Sequence, residues 1–563
     1  MSVDLRTEVN DADNATGWAG DGAAPATTTL TGYFYEGTAA ITTQHSNTDE
    51  HVWTTQTSGG GGTFSYNLSD ATVYMLVKDN LVDTYANGGV QITLGDGTND
   101  IGYDVAGNDA VGLPLTPFYN AFKLDVSEVV ATPGSFNAYA GSEASLAQTA
   151  ITRIGYGSLH LAKAQGNVAN VLVDRISYIA NGTAALRING GTSGTPETMA
   201  DVQGDDETNG WGMVNNPLGA QYGFFAPTEW GNPTATADAY FEATNEQWYW
   251  IGDNGGGRAI GAGNFPFRLV GNATDLISFK LTNVTIVNTG VRATFDLSDT
   301  NVDVVELTNV TFGGLAAITF PTVDASKFGA SLTFNDCDQV DLQSFTLDGA
   351  TFNGTTDANG AIIWDENTTD VQNQDNLRFN SDGTGHAIEI APTGAGPFTY
   401  NIDGYVFDGY ATQTGTAGNR IFYINPATTS ANITINLTNS AAQNPADGGT
   451  QALSYETVGG YTGTVTINNT VTLTVTVEDS AGNPIEGARV RIEAASDGSL
   501  ITQGTTNASG VYSDATYNYS SDVAVTTKVR LKGWRFFRTG GTITQNGISV
   551  GVTLSPNTIV DLP

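Results

Sequence analysis

One cysteine, Cys337, is the whole complement of a 563-residue chain, so no intrachain disulfide can form. The four histidines, His45, His51, His160 and His386, stand far apart and lack the close spacing of a zinc site. No GxSxG elbow is present. Charged residues make up only 14%, so long Glu/Lys-rich amphipathic helices are nearly absent. Bases are scarce: 21 against 58 acids, a net charge of −37. Such a surface repels nucleic acid and stays soluble in salt, where the screening length falls below about 10 Å. No apolar run is long enough to span a bilayer. The opening MSVDLRTEVNDADNATGW has neither an apolar core nor a basic cap, which argues against a Sec signal peptide.

Gly, Thr, Asn and Ser fill the space that charge leaves. That is the composition of an all-β chain with many tight turns. Residues 1–20 are polar and read as an N-terminal arm. From 21 to 182, alternating runs such as FSYNL (64–68), TVYMLVKD (72–79), GVQITLG (89–95) and VLVDRISYI (171–179) are separated by turn residues. Their period of two and their spacing predict a β-sandwich. Residues 183–265 are irregular, Gly-rich and aromatic, and read as a connecting or cap region.

Residues 266–470 contain a repeat. LTNVTIVNTG begins at Leu281 and LTNVTFGG at Leu307, 26 residues later. The pairs Phe279/Val305, Leu281/Leu307, Asn283/Asn309, Val284/Val310 and Ile286/Phe312 align. A further shift of 27 sets Leu332, Phe334, Asp336 and Cys337 beneath Val305, Leu307, Asn309 and Val310. LDGATFNG from Leu347 and IDGYVFDG from Ile402 form a second pair, 55 residues apart, or two such periods. The 40-residue offset from Leu307 to Leu347 fits no whole number of them. Asn tolerates the left-handed backbone of a sharp bend, and stacked Asn side chains can hydrogen-bond along a ladder. These features predict a parallel β-helix, with Phe279, Leu281, Val284 and Ile286 pointing inward.

From 471 the balance changes. Residues 471–563 hold seven bases and eight acids, so almost all the net charge lies elsewhere. VTLTVTVEDSAGNPIEGARVRIEAASDG and TTNASGVYSD read as alternating strands joined by Gly- and Pro-containing turns.

Several clusters could carry chemistry. Asp365 and Glu366, beside Trp364, offer a carboxylate pair and a sugar platform for glycoside cleavage. Asp is abundant here and also favours turns, so catalysis is the less favoured reading. GDGTNDIGYDVAGND (95–109) supplies hard oxygen ligands suited to calcium, with Asp96, Asp100 and Asp104 as candidates. A hairpin with polar turns explains the same residues. Trp211, Trp230, Trp248 and Trp250 could stack on glycans, or could plug the open end of the β-helix; their position favours the plug. KVRLKGWRFFR (528–538), containing Trp534, is the one basic, aromatic run. It reads as a sandwich strand with a solvent face that could meet an acidic partner or an anionic glycan.

The run from 21 to 182 resembles jelly-roll, concanavalin-like domains. The repeat resembles the right-handed parallel β-helices of phage tailspikes and polysaccharide-degrading enzymes. Asp479, Gly482, Pro484, Gly487, Ala488 and Val490, then Thr506, Gly510 and Tyr512, resemble immunoglobulin-like or carboxypeptidase-regulatory-like sandwiches. The resemblance implies a phage virion surface protein, a fibre, spike or capsid decoration assembled in the host cytoplasm. It would form a homotrimer, contact other virion proteins, and adhere to host-surface glycans without catalysis. A depolymerase tailspike and a signal-less secreted bacterial adhesin are the alternatives.

Overall fold

The computed structural model is almost wholly β. It describes every residue except 1, 22, 30–37, 46–48, 80–84, 105–112, 115–119, 128–135, 161–168, 182, 185, 203–212, 216–220, 225–227, 235–236, 252–266, 290–292, 323–325, 366–373, 411–418, 439–440, 444–453, 520–521, 545–546 and 558–563. The chain divides into two compact units, Met1–Thr319 and Phe320–Pro563.

The first unit opens with a sandwich of two antiparallel sheets. One has the order Leu113–Pro114, Asn120–Asp125, Ala71–Asp79, Ala169–Ala180, Ala40–His45, Ala26–Thr28. The other runs Phe136–Ala140, Asp100–Asp104, Tyr85–Gly95, Arg153–His160, Asp49–Thr54, Trp18–Gly20. Alternate residues meet between them, among them Val73, Met75, Ile92, Leu94, Ile154 and Tyr156. The segment 1–20, expected as an arm, instead contributes short paired strands to the body. Thr7–Asn10 joins Ala169–Ala180, and Trp18–Gly20 joins Asp49–Thr54.

Parallel coils follow, and they begin inside the region expected to be irregular. Leu186–Ile188, Thr228–Gly231, Phe267–Val270 and Phe295–Asp296 pair in sequence as one parallel face. Gln221–Phe224, Gln247–Ile251, Thr285–Thr289 and Thr311–Gly313 form a second. Ala239–Thr244, Ile277–Thr282 and Val304–Thr308 form a third. The expected register holds: Phe279 lies opposite Val305, Leu281 opposite Leu307, and Ile286 opposite Phe312. Phe279, Leu281, Val284 and Ile286 are buried, as the repeat predicts. Asn245, Asn283 and Asn309 all take positive φ, at 59°, 55° and 53°. Asn309 Nδ2 donates to Asn283 Oδ1 at 2.8 Å, and Asn283 Nδ2 to Asn245 Oδ1 at 3.0 Å. The ladder therefore satisfies side-chain amides at a corner where the chain turns sharply.

The second unit continues in the same style. Ile362–Trp364, Ile388–Ile390, Phe422–Ile424 and Tyr455–Thr457 are parallel neighbours. Phe334, Phe352, Phe379 and Phe407 stack at successive centroid distances of 4.6, 4.8 and 5.4 Å, near the strand spacing of about 4.8 Å. Phe352 and Phe407 are thus two coils apart, with Phe379 between them, which accounts for the 55-residue echo. The third copy differs from its expected register. Asp336 does turn, with φ 47°, but a bend at Ser331, φ 56°, precedes Leu332 and Phe334, which pair with Ala350 and Phe352. Within the second unit, the bends at Ser331 and Gly349 lie at the same register and only 18 residues apart, so that turn is shorter than the 26-residue repeat. Asparagine ladders recur as Asn335–Asn353–Asn380 and Asn401–Asn436–Asn468.

The last sandwich packs Leu500–Thr505, Arg489–Ala494, Val523–Arg530 and Phe537–Ile543 against Val465–Asp479, Val511–Asn518 and Ile548–Leu554. Asp479 anchors the SAGNP turn by accepting from the Ala481 and Asn483 amides, while Gly482 supplies φ 82°. The compositional break at 471 falls inside a strand. Val465–Asp479 pairs with Ile433–Thr438 of the coils through its first residues and with the sandwich through its last.

Candidate functional site

The outer face of the six-stranded sheet in the N-terminal sandwich collects polar and aromatic groups that sequence reading did not single out. Because Val52, Ile154, Ile92 and Ile101 point into the core, their neighbours point out. One row across the strands is Trp53, Gly155, Thr93, Gly102; the next is His51, Gly157, Gln91. The glycines form a floor. A Cβ on Gly157 would come within 2.5 Å of the Tyr139 hydroxyl, and one on Gly102 within 2.7 Å of the Tyr139 ring. Without those side chains, Tyr139 lies down across the sheet. His51 is stacked between Trp53, at 4.2 Å, and Tyr139, at 4.0 Å. Tyr139 donates to Gln91 Oε1 at 3.1 Å, and Arg153 pairs with Asp100 beside Trp53. Burial holds the His51 imidazole below its usual pKa; Asp21, 2.5 Å from Nδ1, and Asp100 pull the other way. Burial between the two rings outweighs both carboxylates, so the net shift is downward. Trp53 and Tyr139 are half-buried and keep an apolar surface toward solvent.

The calcium reading of this region meets occupied ligands. Partial burial alone would raise the Asp96 carboxyl, but hydrogen bonds from the Asn99, Ala147 and Thr98 amides and from Asn99 Nδ2 outweigh it and hold the group well below the carboxylate range. Asp100 faces Arg153. The Asp104 side chain lies outside the described residues. Among the described residues, no group of three or more His, Cys, Asp or Glu side chains is arranged to hold a metal ion.

The tryptophans separate. Trp230 and Trp248 are buried inside the coils, 5.3 Å apart and packed with Phe241. They are core, neither platform nor plug. The first coil's exposed strand edges are instead covered by Ser2–Asp4 and Met213–Asn215, each antiparallel to its neighbour. Trp211 and the Trp250 side chain lie outside the described residues. Trp364 is buried against Tyr400, and Trp534 is half-buried against the terminal core. Glu246, beside Tyr222, is pushed up to about 7 by burial, opposed by the 2.9 Å hydrogen bond it accepts from Trp248 Nε1.

Asp365 is half-buried just after the strand Ile362–Trp364, and Glu366 lies outside the described residues. A different acid cluster lies on the outward side of that sheet. Glu389, Tyr423 and Glu456 occupy one column on successive coils. Gln339 and Asn425 donate to the two Glu389 oxygens. His386 stacks on Tyr423 at 5.1 Å and accepts the Arg420 amide at Nδ1. Its proton therefore sits on Nε2, 3.8 Å from Glu456.

No protein-family model matches the chain, and no curated protein matches its sequence. Among the described residues, no helix is long and apolar enough to cross a membrane.

Proposed function

We propose that the protein is a non-catalytic structural component displayed on the surface of a phage-type virion, where it adheres to host glycans. The sugar would contact the outer sheet of the N-terminal sandwich. The observation that carries this reading is the Trp53–His51–Tyr139 stack on its glycine floor. Half-buried rings stack on the apolar face of a sugar, while Gln91, Arg153 and Asp100 supply directional polar groups. Trimeric display on a particle would multiply weak contacts. The test is a panel of immobilised glycans probed with the full chain and with Trp53→Ala. The expected result is binding to at least one neutral glycan, weakened about ten-fold or more in the variant. Binding unaffected by Trp53→Ala removes the site from this face. Particles that never co-sediment with the protein remove the virion role.

The Glu389–Tyr423–Glu456 column favours a second reading, polysaccharide cleavage. Glu389 and Glu456 lie in one column two coils apart, about 9.6 Å between backbones, and together offer the carboxylate pair that glycoside cleavage uses. Both Glu389 oxygens are already hydrogen-bonded, which favours the non-catalytic reading. Release of reducing ends that disappears in Glu456→Gln would reverse the order of the two.

A further inference from the structure

The terminal sandwich sorts its charges. Five of its seven bases fall on the outer face of the four-stranded sheet. Arg489 lies opposite Arg530, Arg491 opposite Lys528, and Lys528 opposite Arg538. Val490, Ile492 and Val529 alternate with them and point into the core. Glu493 is the acid on this face, accepting from both Arg491 and Lys528; Lys528 first, then Arg491, holds its carboxyl below the usual range. Glu478, Asp479 and Asp514 lie on strands of the opposite sheet. Arg489 donates to Gln503, and Arg530 has no acidic partner among the described residues. Like charges set directly across a strand pair oppose folding, so the face holds unspent attraction for anions.

The face is also concave. A cavity of about 200 Å³ is lined by Arg489, Arg491, Glu493, Lys528, Arg530 and Phe536. Phe536 is 61% exposed, beside charged groups and with its ring open to solvent. Guanidinium forks, a carboxylate acceptor and an exposed ring in one hollow match three features of an acidic sugar: its oxyanion, its hydroxyls and its apolar face.

We propose that this hollow binds an acidic polysaccharide, with Arg489 and Arg530 holding a sugar carboxylate and Phe536 lying against the ring. The site is independent of the Trp53 face. Nucleic acid is disfavoured because the rest of the chain carries nearly all of the −37 charge.

The full chain is titrated with polygalacturonate, heparin and neutral dextran across a salt series. Polygalacturonate is expected to bind, with affinity falling as salt rises. Arg489→Ala/Arg530→Ala should weaken binding at least ten-fold and flatten the salt dependence. Phe536→Ala should weaken it with the salt dependence unchanged. All three positions are on the surface, and circular dichroism checks that the variants fold. Arg489→Lys/Arg530→Lys keeps the charge and loses the fork, and should fall between. Heparin binding that also needs the two arginines supports an oxyanion site and extends it to sulfated sugars. Trp53→Ala should leave polygalacturonate binding intact, which separates this site from the sandwich face. Equal binding of dextran, or binding unchanged in the double Ala variant, overturns the proposal. So does salt-sensitive self-association that needs the two arginines in the absence of polysaccharide binding, since it assigns the face to a second copy of the chain.

Discussion

Both sandwiches bury alternate apolar residues between two sheets, and then use the outward positions in opposite ways. The N-terminal one clears space with Gly155, Gly157 and Gly102 and lays rings over it. The terminal one fills the same kind of position with Arg489, Arg491, Lys528 and Arg530. The buried half of a strand's alternation fixes the architecture. The other half is free to differ, and there the two domains acquire different chemistry.

The two outer faces differ most in what a glycine tolerates. Gly155→Val would drive a side chain into the Val52 carbonyl and the Trp53 backbone, costing roughly 3 kcal/mol and displacing the ring stack. Gly551→Val in the terminal sandwich meets nothing and should change stability by less than about 0.5 kcal/mol. Thermal unfolding of both variants reads the contrast. An intermediate standard lies in the coils, where Asn309→Ala loses a ladder bond and forces Ala into positive φ, for about 1–2 kcal/mol by denaturant melts.

Acidity sharpens the contrast further. Glu246 ionises near 7 in the fold and near 4.5 when unfolded, so its carboxylate destabilises the fold progressively between those values. Glu246→Gln should therefore gain roughly 1 kcal/mol at pH 8, after discounting for solvent screening, and nothing at pH 4. The smallest effect separates the sandwiches themselves. Because burial lowers the His51 pKa in the fold, the unfolded chain takes up a proton first, so the N-terminal sandwich weakens as pH falls below 6.5. The terminal sandwich has no histidine, and its depressed Asp514 and Asp479 carboxyls protect it until pH falls below about 4. His51→Gln should flatten the N-terminal response, followed by Trp fluorescence at pH 5 to 7.

The coils were legible in the sequence because stacking forces chemical likeness at fixed intervals. LTNVT repeats because Asn283 and Asn309 must both adopt the same bend and bond to each other. The register was lost at Ser331 because a bend needs only a tolerant backbone, and Ser carries no ladder bond to advertise it. The early start of the coils was hidden for a related reason: Trp230 and Trp248 are core residues in a segment too rich in loops to show a period. The Trp53 face left a faint trace, the alternate glycines of RIGYGSLH. Nothing in that string tells which distant ring will lie on them, since Tyr139 arrives from another strand.

The strand Val465–Asp479 belongs to two structures at once. Its early residues are laced to Ile433–Thr438, and its later ones to Val511–Asn518 and Ile548–Leu554. A tether with a hinge would let the terminal domain swing when tugged. Here a pull on that domain runs along a single extended backbone whose hydrogen bonds lie across the line of force. Such bonds yield together in shear, where a hairpin would unzip one at a time. The join is therefore suited to passing a load from the terminal sandwich to Ile433–Thr438.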